Sequence, residues 1–229
     1  MLRQSQILLK LRLKIYQTNF QYLIAVVAPY LFVLFYQMIF DSDQISSDYK
    51  LFMILPLLYS ISLGQLIIPV ISEEKEKHNL KELKLSNVSG PAYLFSFLFF
   101  PVTLTLLGLV LIPFFLGADY SLAYFVVTIL TGIILSLLYL IINLACRSVN
   151  EAQAVAVLLI LVIMALPLLA FINETVADVA HFSFLSLFIS YFLEDFESIW
   201  QTSSFWISLA WLLAFLGISH FLYQRVVKA

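Results

Sequence analysis

Charged residues are absent from six long stretches of the chain, which comprise residues 15–40, 51–72, 85–118, 120–146, 152–173 and 198–224. Each stretch contains between 22 and 34 residues. A helix of about 20 residues crosses the roughly 30 Å hydrocarbon core of a bilayer, so every stretch is long enough to span it. The apolar residues are continuous and do not alternate, which favours helices over the strands of a β-barrel. The pattern therefore predicts an all-α integral membrane protein with six spans.

The ends of the stretches divide a single transmembrane domain, residues 1–229, into spans and connections. The six spans are predicted at about residues 20–40, 51–72, 91–116, 121–146, 152–172 and 203–224. Three further segments are predicted outside the spans: an amphipathic helix over 1–19, a polar loop over 73–90 and an external segment over 173–202.

The composition excludes several other classes of protein. Hydrophobic residues make up 62% of the chain and charged residues 11%, with a mean hydropathy of +1.00. A typical soluble domain is about 45–50% apolar and about 25% charged, so this chain must be solvated by lipid. The net charge of −2 offers no basic surface for nucleic acid. Cys146 is the only cysteine, which excludes an internal disulfide.

The basic residues predict which side of the membrane each connection occupies. Of the 12 Lys and Arg residues, 11 fall on the side that holds the N-terminus, and only Lys50 falls on the other side. Basic residues concentrate on the cytoplasmic side of membrane proteins. The sequence therefore predicts that both termini are cytoplasmic.

The N-terminal segment has helical periodicity. Within residues 2–18, apolar residues recur on one helical face and basic residues lie largely on another. The apolar residues are Ile7, Leu8, Leu11 and Ile15, and the basic residues are Arg3, Lys10 and Lys14. This pattern predicts an interfacial helix attracted by anionic headgroups. The alternative is a basic leader that serves only to set topology.

Residues 73–85 form the one conspicuous polar segment. Glu73 and Lys77 are placed for an ion pair one helical turn apart, and Leu80 and Leu83 give the segment a small apolar ridge. Breakers follow at residues 86–91. The segment is therefore either a short helix that docks into a cytoplasmic partner or a solvated connector.

The connection over residues 174–197 contains no Lys or Arg, and its middle, from Phe182 to Leu193, is strongly apolar. This middle stretch is too short to span the bilayer. We expect it to lie in the outer interface or to enter the membrane as a re-entrant helix covered by protein. The alternative is an external cap that only packs on the spans.

No catalytic, metal or cofactor site is evident in the chain. The spans contain no Asp, Glu, Lys or Arg, which argues against an ion-coupled carrier. Protease motifs and a phosphate-binding glycine loop are also absent from the sequence. The second and fourth spans contain uncharged polar residues, which either form contacts between helices or line a path for cargo. These residues are Ser60, Ser62, Gln65, Thr128, Thr131, Ser136 and Asn143.

The chain resembles the ABC-2-type permeases, the membrane subunits of ATP-binding-cassette exporters. The resemblance rests on the six-span layout and on two stretches. The first comprises Glu74-Lys75-Glu76-Lys77, Leu80, Glu82 and Leu83 before the breakers. The second is Arg147-Ser148-Val149-Asn150-Glu151-Ala152-Gln153-Ala154, which enters the fifth span. One departure is His78-Asn79, where the family usually has Gly-Thr.

The resemblance implies partners and roles. The 73–90 loop would couple to a separate cytoplasmic ATPase subunit, which would bind ATP and magnesium, while this chain would bind no cofactor. A second permease, identical or related, would complete the unit in a bacterial plasma membrane. The residues expected to couple to the ATPase are Glu73, Glu74, Lys75, Glu76, Lys77, Leu80, Glu82 and Leu83. The candidate cargo path, along the first, second and fifth spans, includes Tyr30, Gln65 and Pro167.

An exporter of amphipathic cargo, such as a peptide or bacteriocin, a drug or a lipid-linked molecule, is the function that the resemblance favours. The first alternative is a membrane scaffold or immunity protein that binds a partner without transport. The second is an intramembrane enzyme, for which the sequence offers no catalytic group.

Overall fold

A computed structural model describes residues 2–39, 46–69, 90–118, 121–193 and 198–228. These residues form nine α-helices and no strand. The helices are α1 (Leu2–Thr18), α2 (Phe20–Ile39), α3 (Ser47–Tyr59), α4 (Gly90–Leu116), α5 (Leu122–Ala145), α6 (Val149–Ile172), α7 (Glu174–Ala180), α8 (Ser186–Leu193) and α9 (Ser203–Lys228). A π-helix, Ser60–Gln65, continues α3, and a 3-10 turn, Ile199–Gln201, precedes α9.

Among the described residues, five helices are long and apolar enough to cross a membrane. They are Ser47–Pro69, Leu98–Leu116, Leu122–Ala145, Val149–Ile172 and Ser203–Arg225. The prediction of an all-α, multi-pass membrane protein is therefore confirmed. Helix α2 contains a shorter apolar helical stretch, Val26–Phe35, so a sixth span stays a prediction.

Successive long helices run in opposite directions through the bundle. The start of α3 meets the end of α4, where the Ser47 hydroxyl donates to the carbonyl of Leu116 over 3.3 Å. At the same end of the bundle the ring of Tyr49 lies 5.2 Å from the ring of Phe171, near the end of α6. Because α8 also packs there, we name this the α8 end. At the opposite end, the α1 end, α1 packs on the first half of α4.

Helix α3 with its π-helical continuation is the centre of the bundle. It contacts α2, α4, α5, α6 and α8. Helix α9, by contrast, packs on α5, on α8 and on the 3-10 turn. The main hydrophobic core accordingly follows α3, where Leu55 and Leu58 are completely buried.

Helix α4 ends in a Schellman motif. The Gly117 N–H donates to the carbonyl of Phe114 over 3.3 Å, and the Ala118 N–H donates to that of Pro113 over 3.0 Å. Gly117 has a φ of 63°, a left-handed conformation that glycine adopts without a steric cost. The sequence therefore terminates this span with a specific local turn.

Helix α1 buries one face against the bundle and leaves other apolar residues exposed. Leu8 is buried, whereas Ile7 and Leu11 are 60% and 52% exposed. Arg12 and Tyr16 are buried instead, and the Tyr16 ring lies 5.4 Å from that of Phe100 in α4. The described residues leave Ile7 and Leu11 uncovered, so the placement of α1 in the membrane interface stays a prediction. The long stem of Arg12 allows it to pack as part of the buried stripe.

The apolar middle of the external connection is helix α8. Its first five residues, Ser186 to Ser190, are buried, and the helix packs on α3, α5, α6 and α9. Phe188 stacks on Phe52 of α3 at 5.8 Å. Helix α8 is therefore covered by other parts of the protein. Phe182, which precedes the helix, is 69% exposed. The depth of α8 in the bilayer stays a prediction.

Candidate functional site

The segment expected to couple to an ATPase lies outside the described residues. Residues 70–89 include all eight expected coupling positions, Glu73 to Leu83. Their assignment stays a prediction that rests on the sequence and on the resemblance.

Helices α2, α3 and α6 correspond to the spans of the expected cargo path, and α3 and α6 pack on each other. Helix α6 packs on α3 and on the π-helix, and most of its buried residues are alanines. The buried residues of α6 are Ala152, Ala156, Ile163, Pro167 and Ala170. The remaining face of α6 is uncovered, and Leu158 and Leu161, for example, are 63% and 58% exposed. Helix α6 thus presents a broad apolar face that the described part of the chain leaves uncovered.

The π-helix Ser60–Gln65 interrupts the second span where α5 approaches closely. A Cβ atom on Gly64 would lie 2.9 Å from the Tyr139 ring, closer than real contacts. Glycine at this position therefore allows the ring to pack against the backbone. The hydroxyls of Ser60 and Tyr139 are buried here, and neither makes a hydrogen bond of good geometry among the described residues. Single π-helical turns inside α-helices occur frequently at functional sites.

A cavity of about 170 Å³ lies between this π-helix and the first half of α6. Gly64, Ile68 and Pro69 line one wall, and Gln153, Ala156, Val157 and Ile160 line the other. These residues belong to the α1-end halves of their helices. The cavity therefore lies between the second and fifth predicted spans, two of the three spans that the resemblance associates with cargo.

Two of the three candidate pathway residues lie away from this cavity. Tyr30 is half-buried in α2, and its hydroxyl donates weakly to the carbonyl of Leu104 in α4 over 3.4 Å. Pro167 is buried on α6, about two turns beyond the cavity. Gln65 belongs to the π-helix, but its side chain lies outside the described part of the structure. Neither Tyr30 nor Pro167 lines the cavity.

Polar residues of α5 bond mainly within their own helix. The hydroxyl of Thr128 donates to the carbonyl of Tyr124 and that of Ser136 to the carbonyl of Gly132, both over 2.7 Å. The expected role as contacts between helices is not what these two bonds provide. Hydroxyl side chains in a helix readily reach the carbonyl four residues earlier, so they satisfy themselves locally.

Tyrosines, which the sequence analysis missed, link the helices instead. The Tyr59 hydroxyl of α3 donates to the carbonyl of Thr128 in α5 over 2.7 Å. The Tyr124 hydroxyl donates to the carbonyl of Leu109 in α4 over 3.1 Å. Pro113 follows Leu109 by four residues and has no N–H, so it leaves that carbonyl without its helical partner. A proline four residues after a membrane-buried carbonyl is a sequence signal for such a donor.

The second stretch that carries the resemblance is a helix cap. The Ser148 hydroxyl accepts from the Glu151 N–H over 3.2 Å, and the Glu151 carboxylate accepts from the Arg147 N–H over 2.8 Å. This reciprocal arrangement fixes the start of α6, because it satisfies N–H groups that have no partner within the helix. The stretch therefore has a structural reason independent of any cargo.

Comparison with known proteins supports the family that the residues suggest. The family model described as ABC-2 type transporter matches residues 3–167, more than two thirds of the chain, from α1 into the second half of α6. Neither a curated protein nor a solved structure matches the chain. This chain is a multi-pass helical bundle that matches the family over more than two thirds of its length, and it belongs to the ABC-2 type transporters.

Proposed function

We propose that this chain is the permease subunit of an ATP-binding-cassette exporter that moves amphipathic cargo across a bacterial plasma membrane. It has six spans with α2 as the first, both termini are cytoplasmic, and a separate subunit binds and hydrolyses ATP with magnesium. The family match is the single observation that carries the proposal. The alternation of the helices supports the topology, since it gathers Lys10, Lys14 and Arg147 at the α1 end.

A second permease packs against two helices of this chain, covering the uncovered apolar face of α6 and the exposed apolar residues of α2. Both helices pack on the central α3 and expose large apolar residues, among them Phe35 on α2 and Leu161 on α6. If the second permease is an identical copy, we expect a cysteine at position 161 to form a disulfide with its counterpart across the interface. Cys146 is the only native cysteine, so Cys146→Ser gives a background free of thiols.

The cross-linking experiment compares Leu161→Cys with Leu213→Cys in that background, in native membranes under mild oxidation. Leu213 is 69% exposed on α9, on the other side of α5. We expect a covalent dimer from position 161 and none from position 213. Equal yields from both positions would indicate random collision in the membrane, and dimer from position 213 alone would move the interface to α9.

The 73–90 loop transmits ATP hydrolysis to the spans. The double substitution Glu74→Ala with Leu80→Ala removes a charge and an apolar contact from the proposed docking surface. We expect it to uncouple ATP turnover from export while the folded permease still accumulates. Ser89→Ala, in the same loop but beyond the docking segment, serves as the control. Normal export by the double variant would contradict the docking assignment.

The cargo is tested by reconstituting the permease with its ATPase in liposomes. A basal ATPase rate that rises with amphipathic peptides or drugs is the expected result. A complex that forms without any response to cargo would favour the scaffold or immunity protein instead. The reading frame next to this chain provides the ATPase for the experiment if it encodes a phosphate-binding glycine loop.

A further inference from the structure

A cavity of about 450 Å³ lies at the α8 end of the bundle, apart from the α3–α6 cavity described above. Its walls are the end of α6, helix α7 and helix α8. The lining residues are Ala170, Phe171, Ile172, Glu174, Ala177, His181, Ile189, Ser190 and Leu193. Small-molecule sites in proteins occupy roughly 300–1,000 Å³, so this cavity is large enough for a small organic ligand.

The polar wall of the cavity is held rigidly. His181 Nε2 lies 2.9 Å from the Ser203 hydroxyl, and Nδ1 lies 3.3 Å from the Ser204 hydroxyl. Ser204 in turn lies 2.7 Å from the Ser190 hydroxyl. This chain of hydrogen bonds ties the end of α7 to α8 and to the start of α9. Both ring nitrogens of His181 are therefore engaged within the protein, which leaves the Glu174 carboxylate as the polar side chain of the wall that a ligand can reach.

The remaining walls suit an apolar body. Phe171 and Ile172 are 52% and 78% exposed, although they lie at the end of a membrane helix. Aromatic faces such as that of Phe171 also attract cations. The cavity thus combines one carboxylate, one aromatic ring and an apolar floor.

The charge of the whole connection has the same sign as Glu174. Residues 174–197 contain five acidic residues and no Lys or Arg. Lys50 is the one basic residue that the predicted topology places on this side, and it does not line the cavity. A ligand with positive charge and an apolar chain complements the acidic composition of this connection, whereas an anionic ligand is repelled.

We infer that the α8-end cavity binds a cationic amphiphile, with its ammonium group at Glu174 and its apolar chain against Phe171 and Ile172. Tryptophans typical of the membrane interface mark the same end, since Trp200 and Trp206 are 56% and 62% exposed. The site rests on the proposed function only for its location on the outer side of the membrane. It names the chemical class of a molecule that the permease accepts there.

The test measures the binding of decyltrimethylammonium to the permease in nanodiscs of neutral lipid by titration calorimetry. Empty nanodiscs give the blank for partitioning, and decyl sulfate is the anionic counterpart. Glu174→Gln is expected to weaken binding of the cation about tenfold, because it removes one close charge and keeps the shape. Asp178→Asn is the matched control, since Asp178 is exposed on the same helix and does not line the cavity. We expect it to change affinity less than twofold.

A volume test locates the probe. Ala177→Leu fills part of the cavity and is expected to abolish binding, while Ala210→Leu adds the same volume at an exposed position on α9 and leaves binding intact. Ala177→Val replaces the leucine variant if that variant does not fold. Equal effects of Glu174→Gln and Asp178→Asn, equal affinity for decyl sulfate, or full binding by the filled variant would each overturn the inference.

Failure of this site and failure of the proposed function are distinguishable. Binding is measured on the permease without any ATPase, so specific binding of the probe, together with an ATP turnover that no amphipathic cargo stimulates, would leave the site intact and contradict export. Cargo-stimulated turnover that is unchanged in Glu174→Gln, together with absent binding of the probe, would contradict the site and leave export intact.

Discussion

Helix α3 with its continuation to Pro69 and helix α6 are both apolar and long enough to span a membrane, yet they differ sharply in burial within the bundle. In the most apolar part of each span, 82% of the residues of α3 and its continuation are buried, against 22% in α6. The more polar helix is the more buried one: α3 carries Tyr59, Ser60 and Ser62 into the core, while α6 turns valine and leucine outwards. Lipid is as apolar as leucine, so apolarity does not drive burial within a membrane. Shape and hydrogen bonding decide it.

The direct way to break this comparison is to truncate one leucine in each helix. Leu55→Ala in α3 removes a completely buried side chain and leaves a cavity, whereas Leu158→Ala in α6 removes a side chain that is 63% exposed. Core truncations of this kind cost roughly 2–5 kcal/mol. We expect the lower part of that range for Leu55→Ala and almost no change for Leu158→Ala, measured as the unfolding temperature in detergent. Equal losses would show that α6 is buried, by a partner that survives solubilisation.

Overpacking is expected to have the next largest effect. Gly64→Val places methyl groups where Tyr139 packs, so it should cost about 1–3 kcal/mol of stability. Gly217→Val is the matched control, because no atom lies within 4 Å of the added Cβ on α9. Thermal unfolding of both variants provides the measurement. If both lose the same stability, the loss reflects helix propensity and the close approach of α3 and α5 has no special role.

The tyrosine link beside the proline should matter slightly less. Tyr124→Phe leaves the carbonyl of Leu109 buried without a donor, which costs roughly 1–3 kcal/mol. Pro113→Ala restores an N–H to that carbonyl and should rescue part of the loss. We therefore expect a double-mutant cycle, measured as free energies of unfolding, to show a coupling energy between positions 113 and 124. Additive effects would contradict the proposed substitution of one donor for the other.

The smallest effect is expected at the start of α6. Ser148→Ala removes the cap that accepts from the Glu151 N–H and should cost about 1 kcal/mol, while Ser148→Asp keeps an acceptor and should cost much less. Because α6 is little buried, its ends contribute a larger share of what holds it in place. Unfolding temperatures of the two variants test this. A cap loss of the same size at Ser121, the equivalent residue of the more buried α5, would weaken that comparison.

Much of the fold could be predicted from the sequence, and less of the site. The charge-free stretches predicted helices because lipid leaves no other way to pair the backbone, and the cap at Ser148 is readable from its spacing to Glu151. The burial of Arg12 and the exposure of Ile7 were not predictable, because both depend on where α4 lies. The cavity at Gly64 also escaped prediction, since it requires the π-helix and a ring from another span.

The amino-acid sequence alone determined that this chain crosses a membrane repeatedly as helices, because unpaired backbone groups are too costly in lipid and charges must remain outside it. It also determined that the chain belongs to a family of transporter permeases. Only the tertiary structure decided which helix is central, which apolar faces stay uncovered and where cavities open. Those outcomes depend on how glycine, tyrosine and proline from distant positions fit together, because close packing discriminates between apolar surfaces that lipid treats as equal.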